Sequence, residues 1–230
     1  RDYDGSLTGR LESLTAASVG LLGRTVRVDA TTALKDSTGV NLDLEAFTAA
    51  NADVTDTMLG ASGATQRQNT IEWVRGDGSD ARTDRRLGDI VYSSPVMVGP
   101  PRDNRADEAY NTWRVDTTIA NRPPVMYVMS NDGILHAFAV EGGTVVGAGG
   151  AARLASYGAG TEYEMGEELF GFLRECVLSR LYSSMSSHLW LGDGSIVVKD
   201  VFFNRDPGMV PASADDGYHT VLVAGVGQGQ

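Results

Sequence analysis

Residues that commonly perform nucleophilic or acid–base chemistry are few in this sequence of 230 residues. It has one cysteine, Cys176, and three histidines, His136, His188 and His219. A cysteine nucleophile needs a neighbouring base, but the histidines fall in scattered strand-like segments, and nothing in the sequence brings one of them to the thiol. Cys176 lies in the apolar stretch 168–178, so we expect it to be buried as a small hydrophobic residue. A single cysteine also excludes an intrachain disulfide and the CxxC metal and redox patterns.

Two other segments contain residue types that occur in catalytic or cofactor-binding loops. Ser93-Ser94-Pro95 lacks the GxSxG spacing of a nucleophile elbow, so we expect Ser93 and Ser94 to satisfy backbone groups at a strand hinge. The glycine-rich residues 142–166 lack the GxGxxG and GxxxxGK[ST] spacings that cradle phosphates. We interpret them as an exposed insertion, with a ligand-binding loop as the alternative.

The charge balance argues against nucleic acid as a partner. The formal net charge is −11, and the densest basic cluster, Arg82, Arg85 and Arg86, is interrupted by Asp84. Affinity for a phosphate backbone depends on summed neutralisation by cations, so we expect no nucleic-acid binding. No window of eighteen apolar residues occurs, so we expect no membrane-spanning helix. The sequence shows no signal-peptide pattern and begins without Met, so we expect a piece of a longer protein.

Weak hydrophobic patterns in residues 1–86 predict a few short strands and helices. Alternating apolar residues predict short strands near residues 11–14 and 26–30. Asp53 or Thr55 is expected to cap a short helix that contains Met58 and Leu59. A second helix is predicted over Ala64–Val74, with Ile71 and Val74 on its apolar side and Gly76 as its end.

From residue 87 onward the pattern predicts strands and turns. The strongest prediction is a hairpin whose strands, Val125–Met129 and Ile134–Val140, are joined by Asn131-Asp132-Gly133, which tolerates positive φ. Further strands are predicted at 96–98, 167–173, 196–203 and 220–227. Residues 196–203 form either one strand or two, and the strand at 220–227 is expected to be buried on both faces. A helical turn is predicted at 177–181. Turns are predicted at 206–208 and 215–217, and residues 100–122 are interpreted as a surface loop. Short strands without long helices between them indicate a propeller, a sandwich or a barrel.

Six segments match, in order, a known set of motifs. They are Ile71–Asp77 (INWVRG), Leu87–Val96 (GDIxxSSP), Tyr127–Phe138 (YVGANDGMLHAFD), Gly166–Phe172 (GxELFAF), Asp193–Phe202 (DGSPTVGDVYF) and Tyr218–Gly227 (GWRTVLVGGLG). Together they resemble the PilY/PilC family of type IV pilus tip and biogenesis proteins, over about residues 71–230. Each motif alone is moderately specific, whereas six in the same order are strong.

The resemblance implies a mainly β fold, namely part of a quinoprotein-like β-propeller of antiparallel blades with a short helical segment near its start. A full ring needs more residues than the chain has, so we expect an incomplete ring over 71–230 with a glycine-rich insertion at 142–165. Residues 1–70 are a linker or the first propeller elements. The chain departs from the family at Ala139, where an Asp is usual, at Ile196, where a Pro is common, and in the inserted stretch itself.

The same resemblance implies a non-enzymatic type IV pilus tip, assembly and adhesion factor. The implied partners are minor pilins of the tip complex and host or surface ligands, and the implied location is the cell surface or outer membrane of a Gram-negative bacterium. The alternative is a quinoprotein-like dehydrogenase that uses pyrroloquinoline quinone, although one cysteine cannot supply the vicinal pair often found there. A bound quinone would be detected by its absorbance.

No catalytic, cofactor-binding or metal residue is assigned from the sequence. The calcium loop of the family has the form DxDxDGxxD, in which close carboxylates supply oxygens to a hard cation. Only Asp2-Tyr3-Asp4-Gly5 resembles half of it, and Asp206, Asp215 and Asp216 lack the spacing. We interpret these as turn residues and expect no cofactor in this segment, with calcium left to the full-length family protein. His136 is expected to be a packed, hydrogen-bonded histidine, and the tryptophans at positions 73, 113 and 190 core or interface anchors.

Overall fold

A computed structural model of the chain describes residues 26–28, 45–52, 54–76, 87–144, 162–203 and 217–227. The strands within these residues are β1 (Val26–Val28), β2 (Glu45–Ala46), β3 (Val96–Val98), β4 (Val125–Met129), β5 (Ile134–Ala139), β6 (Gly143–Thr144), β7 (Glu162–Tyr163), β8 (Glu168–Leu173), β9 (Ile196–Phe203) and β10 (Gly217–Ala224). The helices are α1 (Ala64–Arg75), α2 (Glu108–Arg114), α3 (Thr117–Ala120), α4 (Glu175–Leu178) and α5 (Leu181–Ser184), with a 3₁₀ turn at Thr57–Leu59. The predicted mainly β class is therefore confirmed.

The largest sheet has the strand order β2-β1-β8-β5-β4-β3. Within it β3, β4, β5 and β8 form an antiparallel meander in chain order, which we call the meander. β1 adds to β8 in parallel, and β2 pairs antiparallel with β1. The predicted hairpin, with Val125 opposite Ala139 and Met129 opposite Leu135, forms its centre and is confirmed. No closed barrel or propeller ring occurs among the described residues.

Both faces of the meander are covered, which explains its continuous apolar runs. Alternation along β4 sends Val125, Tyr127 and Met129 to one face, where apolar side chains of β9 and β10 pack on them. Val128 points to the other face, where it packs with Phe138 and Leu87. At the end of the meander, Ile134 and Leu173 join a helical cluster whose buried members also include Phe47, Leu59, Ile71, Val74, Leu178 and Leu181.

β9 and β10 form a separate two-stranded sheet, which we call the ribbon. Its register runs without interruption from Ile196 opposite Ala224 to Phe203 opposite Gly217. Residues 196–203 are thus one strand, since they contain no Pro or Gly that would break it. The expectation that β10 is buried on both faces is wrong, because Val223 is 62% exposed and His219 is also exposed. Only one face of the ribbon packs on the meander.

The predicted helix over Ala64–Val74 is confirmed, with one further residue at its end. Gly76 adopts φ 71, and its amide donates to the carbonyls of Glu72 and Trp73. Ile71 and Val74 are buried, as expected from the apolar side of the helix. Trp73 is half-buried against the same cluster.

The short helix around Met58 also forms, as the 3₁₀ turn. Its N-cap is Asp56, whose carboxylate accepts from the Thr57 amide, while the Thr55 hydroxyl accepts from the Met58 amide at 3.3 Å. The alternative cap, Asp53, lies outside the described residues.

The interpretation of residues 100–122 as an irregular loop is wrong, because α2 and α3 lie there. The Asp107 carboxylate accepts from the Tyr110 amide at 3.0 Å and so caps α2, and Asp116 caps α3 in the same way through the Thr118 amide at 2.9 Å. The many charges lie on exposed helix faces, whereas Tyr110 is fully buried. Short capped helices with one inward aromatic give little periodic signal.

Cys176 is exposed, so its expected burial is also wrong. It lies in α4, whose buried residues are its neighbours Val177 and Leu178. Successive residues of a helix point about 100° apart, so an apolar surrounding sequence does not bury every member. The Cys176 thiol forms no hydrogen bond within the described part of the chain.

The glycine-rich insertion is only partly described. Its ends pair as β6 and β7, and the Tyr163 side chain is 6% exposed in the core beside the meander. The expectation that 142–165 is exposed throughout is therefore wrong at Tyr163. Residues 145–161 lie outside the described residues, as do residues 11–14 and the predicted turns at 206–208 and 215–216.

Candidate functional site

Three of the resembling segments meet at one place, which we call the motif junction: the loop 88–93, the turn 130–133 and the segment 191–194. The Asn131 amide donates to the Asp89 carbonyl at 2.7 Å, and the Leu191 amide donates to the Asn131 carbonyl at 3.0 Å. The backbone of one turn residue thus ties the other two segments together. These segments are separated by up to about a hundred residues, so the junction is a tertiary feature rather than a local one.

Asp193 is the strongest link in the motif junction. Its carboxylate accepts hydrogen bonds from three successive amides, those of Val91 (2.9 Å), Tyr92 (2.7 Å) and Ser93 (2.8 Å). The residue is 2% exposed and adopts φ 108, a conformation that is rare outside glycine. Charge-assisted bonds to backbone N–H groups are among the stronger ones in proteins, and they offset the backbone strain of Asp193.

Serine 93 completes this link to the meander. Its hydroxyl accepts from the Met129 amide at 3.0 Å, which confirms the expected role of Ser93 at the strand hinge. Ser94 is exposed, and no such bond involves its side chain among the described residues. The expectation therefore holds for Ser93 alone.

Glycines allow the segments of the motif junction to approach closely. Gly133 adopts φ 86, and a Cβ there would lie 3.2 Å from both Val177 Cγ2 and Leu191 Cβ. Gly194 allows a still closer approach, because its Cβ would lie 2.0 Å from the carbonyl oxygen of Gly225, the residue that follows β10. The predicted positive φ at Gly133 is confirmed, whereas Asn131 does not adopt one.

A buried polar relay lies beside the turn, on the face of the meander that carries Val128. Ser130 Oγ lies 2.7 Å from His136 Nε2, and His136 Nδ1 lies 2.6 Å from Glu168 Oε1. The Ser130 hydroxyl also contacts the Asp132 carboxylate. The His136 ring stacks on Phe138 at a centroid distance of 5.7 Å. His136 is thus the packed, hydrogen-bonded histidine expected from the sequence.

This relay has the connectivity of a nucleophile, a base and an orienting acid. However, Ser130 and His136 have no exposed surface and Glu168 is 7% exposed, so the hydroxyl cannot reach a substrate. Its physical effect is structural, because the buried Ser130, His136 and Glu168 side chains serve as hydrogen-bond partners for one another. The sequence analysis missed Glu168 and Asp193. In the sequence, the only indication of either residue is that a charged side chain occurs within an apolar motif.

The other histidines lie apart from this relay. His188 follows α5 and is exposed; its Nε2 lies 3.1 Å from Asn131 Nδ2, and its ring stacks on Trp190. His219 lies on the exposed face of the ribbon. Trp190 is 43% exposed, so the expectation of a core anchor does not hold there in the isolated chain.

A second polar cluster joins α2 to the ribbon. The rings of Tyr110, Trp113 and Tyr218 lie within 5.0 to 5.8 Å of one another, so Trp113 is an anchor as expected. The Tyr218 hydroxyl donates to Asp107 at 2.5 Å, and the Tyr110 hydroxyl donates to Asp200 at 3.0 Å. The bond to Asp107, with burial, raises the pKa of Tyr218, and the same bond lowers the pKa of Asp107. Burial, followed by the bond to Asp200, raises the pKa of Tyr110.

The aspartates considered for calcium cannot be placed, because Asp2, Asp4, Asp206, Asp215 and Asp216 all lie outside the described residues. Within the described ranges, no group of three or more His, Cys, Asp or Glu residues has the arrangement of a metal site. In the same part of the chain, no helix has the length and apolar character needed to cross a membrane.

The chain is similar to three curated pilus proteins over most of its length. It is 28% identical over 183 residues to the type IV pilus biogenesis factor PilY1 of Pseudomonas aeruginosa strain UCBPP-PA14, a match that covers 72% of this chain and 12% of that protein. It is 25% identical over 224 residues to the PilY1 homolog of Xylella fastidiosa strain Temecula1, covering 90% of this chain and 14% of the relative. PilY1 of P. aeruginosa strain PAK is 26% identical over 182 residues, covering 72% and 13% respectively.

The predicted resemblance to the PilY/PilC family is confirmed. The matches cover only 12 to 14% of the length of these relatives, so the chain is similar to one region of each of them. No protein-family model matches the chain, and no solved structure matches it significantly. Three of the six segments that carry the PilY/PilC resemblance meet at the motif junction.

Proposed function

We propose that this chain is a structural module of a non-enzymatic type IV pilus assembly and adhesion factor at the bacterial cell surface. The observation that carries the proposal is the similarity to PilY1-type biogenesis factors over 72 to 90% of the chain. The arrangement of the shared motifs supports it, because Asp193 and Gly133 serve packing and backbone hydrogen bonding. A module of this kind acts through protein contacts, with minor pilins of the tip complex and with host or surface ligands as partners.

We further propose that the meander and the ribbon are successive blades of a propeller. Three features favour this arrangement: the meander has four antiparallel strands in chain order, both of its faces are covered, and the ribbon packs on one of them. Blades of a propeller pack in this way on their neighbours. In a larger protein, the exposed face of the ribbon would then meet a further blade.

The proposed role in assembly is tested in a bacterium that carries the full-length protein. Asp193→Ala removes the acceptor for three backbone amides and is expected to reduce both the amount of folded protein and surface piliation. Arg174→Gln is the matched control, since Arg174 is exposed and lies outside the motif junction. Piliation is measured by shearing and immunoblotting.

A pull-down with the minor pilins of the same organism tests the partners directly. The folded 230-residue chain is expected to retain at least one minor pilin, and the Asp193→Ala chain to retain less. If deletion of this segment from the full-length protein leaves piliation and adhesion unchanged, the proposed function is wrong.

A further inference from the structure

Three consecutive hydrogen bonds run through the buried relay. His136 Nδ1 lies 2.6 Å from Glu168 Oε1, and His136 Nε2 lies 2.7 Å from Ser130 Oγ. At the far end, the Ser130 hydroxyl contacts Asp132 Oδ1. Each of these bonds needs one hydrogen between its two heavy atoms. The relay as a whole therefore needs three hydrogens.

The four side chains of the relay supply only two hydrogens in the forms that are usual in water at neutral pH. An ionised carboxylate accepts hydrogen bonds and has no hydrogen to donate, so Glu168 and Asp132 contribute none. The Ser130 hydroxyl has one hydrogen, and the neutral imidazole of His136 has one N–H. The relay is therefore one hydrogen short.

The backbone beside the Ser130 hydroxyl does not supply the third hydrogen. The Ile134 carbonyl lies 3.2 Å from Ser130 Oγ, and it is itself an acceptor that also receives the Ser130 amide at 3.0 Å. A hydroxyl that donates to Asp132 presents only lone pairs to His136 Nε2, so this nitrogen must carry a hydrogen. Nδ1 must carry one as well, to bond Glu168. The geometry thus corresponds to an imidazole with both nitrogens protonated.

A cation at this position is paired, and pairing offsets the cost of burying it. Glu168 of β8 bonds the imidazole of His136 directly, and Asp132 of the turn faces it through the Ser130 hydroxyl. His136 has no exposed surface and Glu168 has almost none. Where water is excluded, the attraction between an imidazolium and a carboxylate is screened only weakly.

The other groups around His136 leave this charge balance unchanged. Val128 of β4 and Gly171 of β8 lie opposite His136 in the sheet, and neither carries a charge. Two further titratable side chains lie near the turn, Asp89 of the loop 88–93 and His188 after α5. Both are exposed and lie 3.6 Å apart, so solvent screens their effect on the relay.

We propose that the folded relay binds one proton from solvent at neutral pH, with His136 as an imidazolium between Glu168 and Asp132, and releases it as the pH rises. The proton belongs to the relay as a whole, because strongly interacting groups titrate together. In the unfolded chain a histidine loses its proton at about pH 6.5. Above that pH the folded chain binds more protons than the unfolded one. The stability contributed by this proton is therefore fully present below about pH 6.5 and is lost as the relay releases it.

Loss of the proton weakens the motif junction, because the relay fixes the turn that ties the junction together. Ser130 begins the turn 130–133, and the amide and carbonyl of Asn131 bond the loop 88–93 and the segment 191–194. Without the proton, one of the three bonds of the relay is missing and the charges of its carboxylates are uncompensated by the imidazole. This proton site does not depend on the pilus role, so either can fail without the other.

Asp132→Asn tests the missing hydrogen directly. An asparagine side chain can donate an amide N–H to the Ser130 hydroxyl, so the relay keeps three bonds with a neutral imidazole. Asp89→Asn is the matched control, because it changes the net charge by the same amount at an exposed carboxylate outside the relay. The 230-residue chain is labelled with isotopic histidine, and NMR at about pH 7.5 distinguishes protonated from unprotonated ring nitrogens. The spectrum of His136→Gln assigns the signals.

Both ring nitrogens of His136 are expected to be protonated in the unchanged chain and in Asp89→Asn, and only one of them in Asp132→Asn. His219, which is exposed, should be neutral in all three and serves as the internal reference. Urea unfolding at different pH values gives a second measurement. Between about pH 7 and 9, the equilibrium constant of unfolding should rise more steeply with pH in the unchanged chain and the control than in Asp132→Asn. The limit for one proton is a difference of about tenfold per pH unit.

An unprotonated ring nitrogen on His136 in the unchanged chain would overturn the proposal, and this measurement does not require any variant to fold. Identical histidine signals in the unchanged chain and Asp132→Asn would show that Asp132 does not share the proton. Equal pH dependence of unfolding in these two chains would show that folding takes up no proton at the relay. The same change in Asp89→Asn would show only an effect of net charge.

Discussion

The meander and the ribbon have similar apolar strands but very different burial. In the meander Val128 and Phe138 have no exposed surface, because a second layer covers each face. In the ribbon Val197 and Val223 lie opposite each other and are 55% and 62% exposed. A continuous apolar run therefore predicts a strand, while the number of covered faces depends on distant segments. Among the described residues, the ribbon has a packing partner on one side only.

The ribbon compensates for its single covered face with polar contacts at one end. The Tyr218 hydroxyl bonds Asp107 of the α2 cap, and the Tyr110 hydroxyl of α2 bonds Asp200 of β9. The Arg122 guanidinium adds a bond to Thr220 of β10. The polar contacts of the meander, those of the relay, are fully buried, whereas these contacts of the ribbon are only part-buried.

The largest expected difference between the two regions concerns their phenylalanines. Phe138→Ala removes a fully buried ring from the meander and should lower the free energy of unfolding by about 3–5 kcal/mol. Phe202→Ala in the ribbon, where the ring is 52% exposed, should cost about 1 kcal/mol or less. Urea unfolding followed by circular dichroism measures both. Equal costs would mean that the ribbon is covered by something else in solution.

The histidines give the next comparison. In His136→Gln the side-chain amide of the glutamine must replace the bonds of the imidazole to Ser130 and Glu168. We therefore expect the free energy of unfolding to fall by about 2–3 kcal/mol. A packed histidine without these partners would give a mild effect, and the geometry of the relay argues against that outcome. His219→Gln, on the exposed face of the ribbon, should change the unfolding free energy by less than about 0.5 kcal/mol. A harmless His136→Gln would contradict a structural role of the relay.

Two glycines with positive φ sharpen the comparison further. Gly133→Val places a branched side chain at φ 86, and this backbone strain should lower the free energy of unfolding by about 1–3 kcal/mol. The new side chain also crowds Val177, which should lower the free energy of unfolding further. Gly217 has φ 144, but no atom lies within 4 Å of the position that a Cβ would take. Gly217→Val should therefore lower the free energy of unfolding through backbone strain alone. Melting temperatures of the two variants measure the difference. A larger loss for Gly217→Val would contradict close packing at the turn.

The smallest effect is a pH dependence of the ribbon contacts. Because the pKa of Tyr110 is raised on folding, its contribution to stability is present below pH 10 and is lost as the pH rises through the folded pKa. The unfolding free energy should therefore fall above about pH 10, and less steeply in Tyr110→Phe. The pKa of Asp107 is lowered, so its contribution is lost in acid, below its ordinary pKa. An unchanged alkaline slope in Tyr110→Phe would show that folding does not raise the pKa of Tyr110.

Much of the fold follows from local patterns in the sequence. The hairpin, α1 with its terminal Gly76, and β8 each combine periodic apolar residues with a turn or cap residue, and all are confirmed. Residues 100–122 were not predicted as helices, because α2 and α3 are short and their capping aspartates resemble ordinary loop residues. The burial of Cys176 was predicted from its neighbours, although its side chain leaves the helix on the opposite side.

The motif junction was the least predictable part. A hydrogen bond from the Val91 amide to Asp193 joins residues about a hundred positions apart, and no local rule pairs them. The Asp-Gly pair at 193–194 was noted only as the start of a resembling segment, whereas the Asp193 carboxylate organises another loop. Resemblance identified the motifs correctly, but only the tertiary structure explains why they occur together.

The short pairing of β6 with β7 has a practical consequence for labelling. Gly143 pairs with Tyr163 and Thr144 with Glu162, so the backbone leaves and re-enters the fold at adjacent points. The entropy cost of closing a loop grows only with the logarithm of its length. An epitope or a small fluorescent domain could therefore replace residues 145–161 while Tyr163 keeps its place beside the meander. Such a label would allow the protein to be followed on living cells without disturbing either sheet.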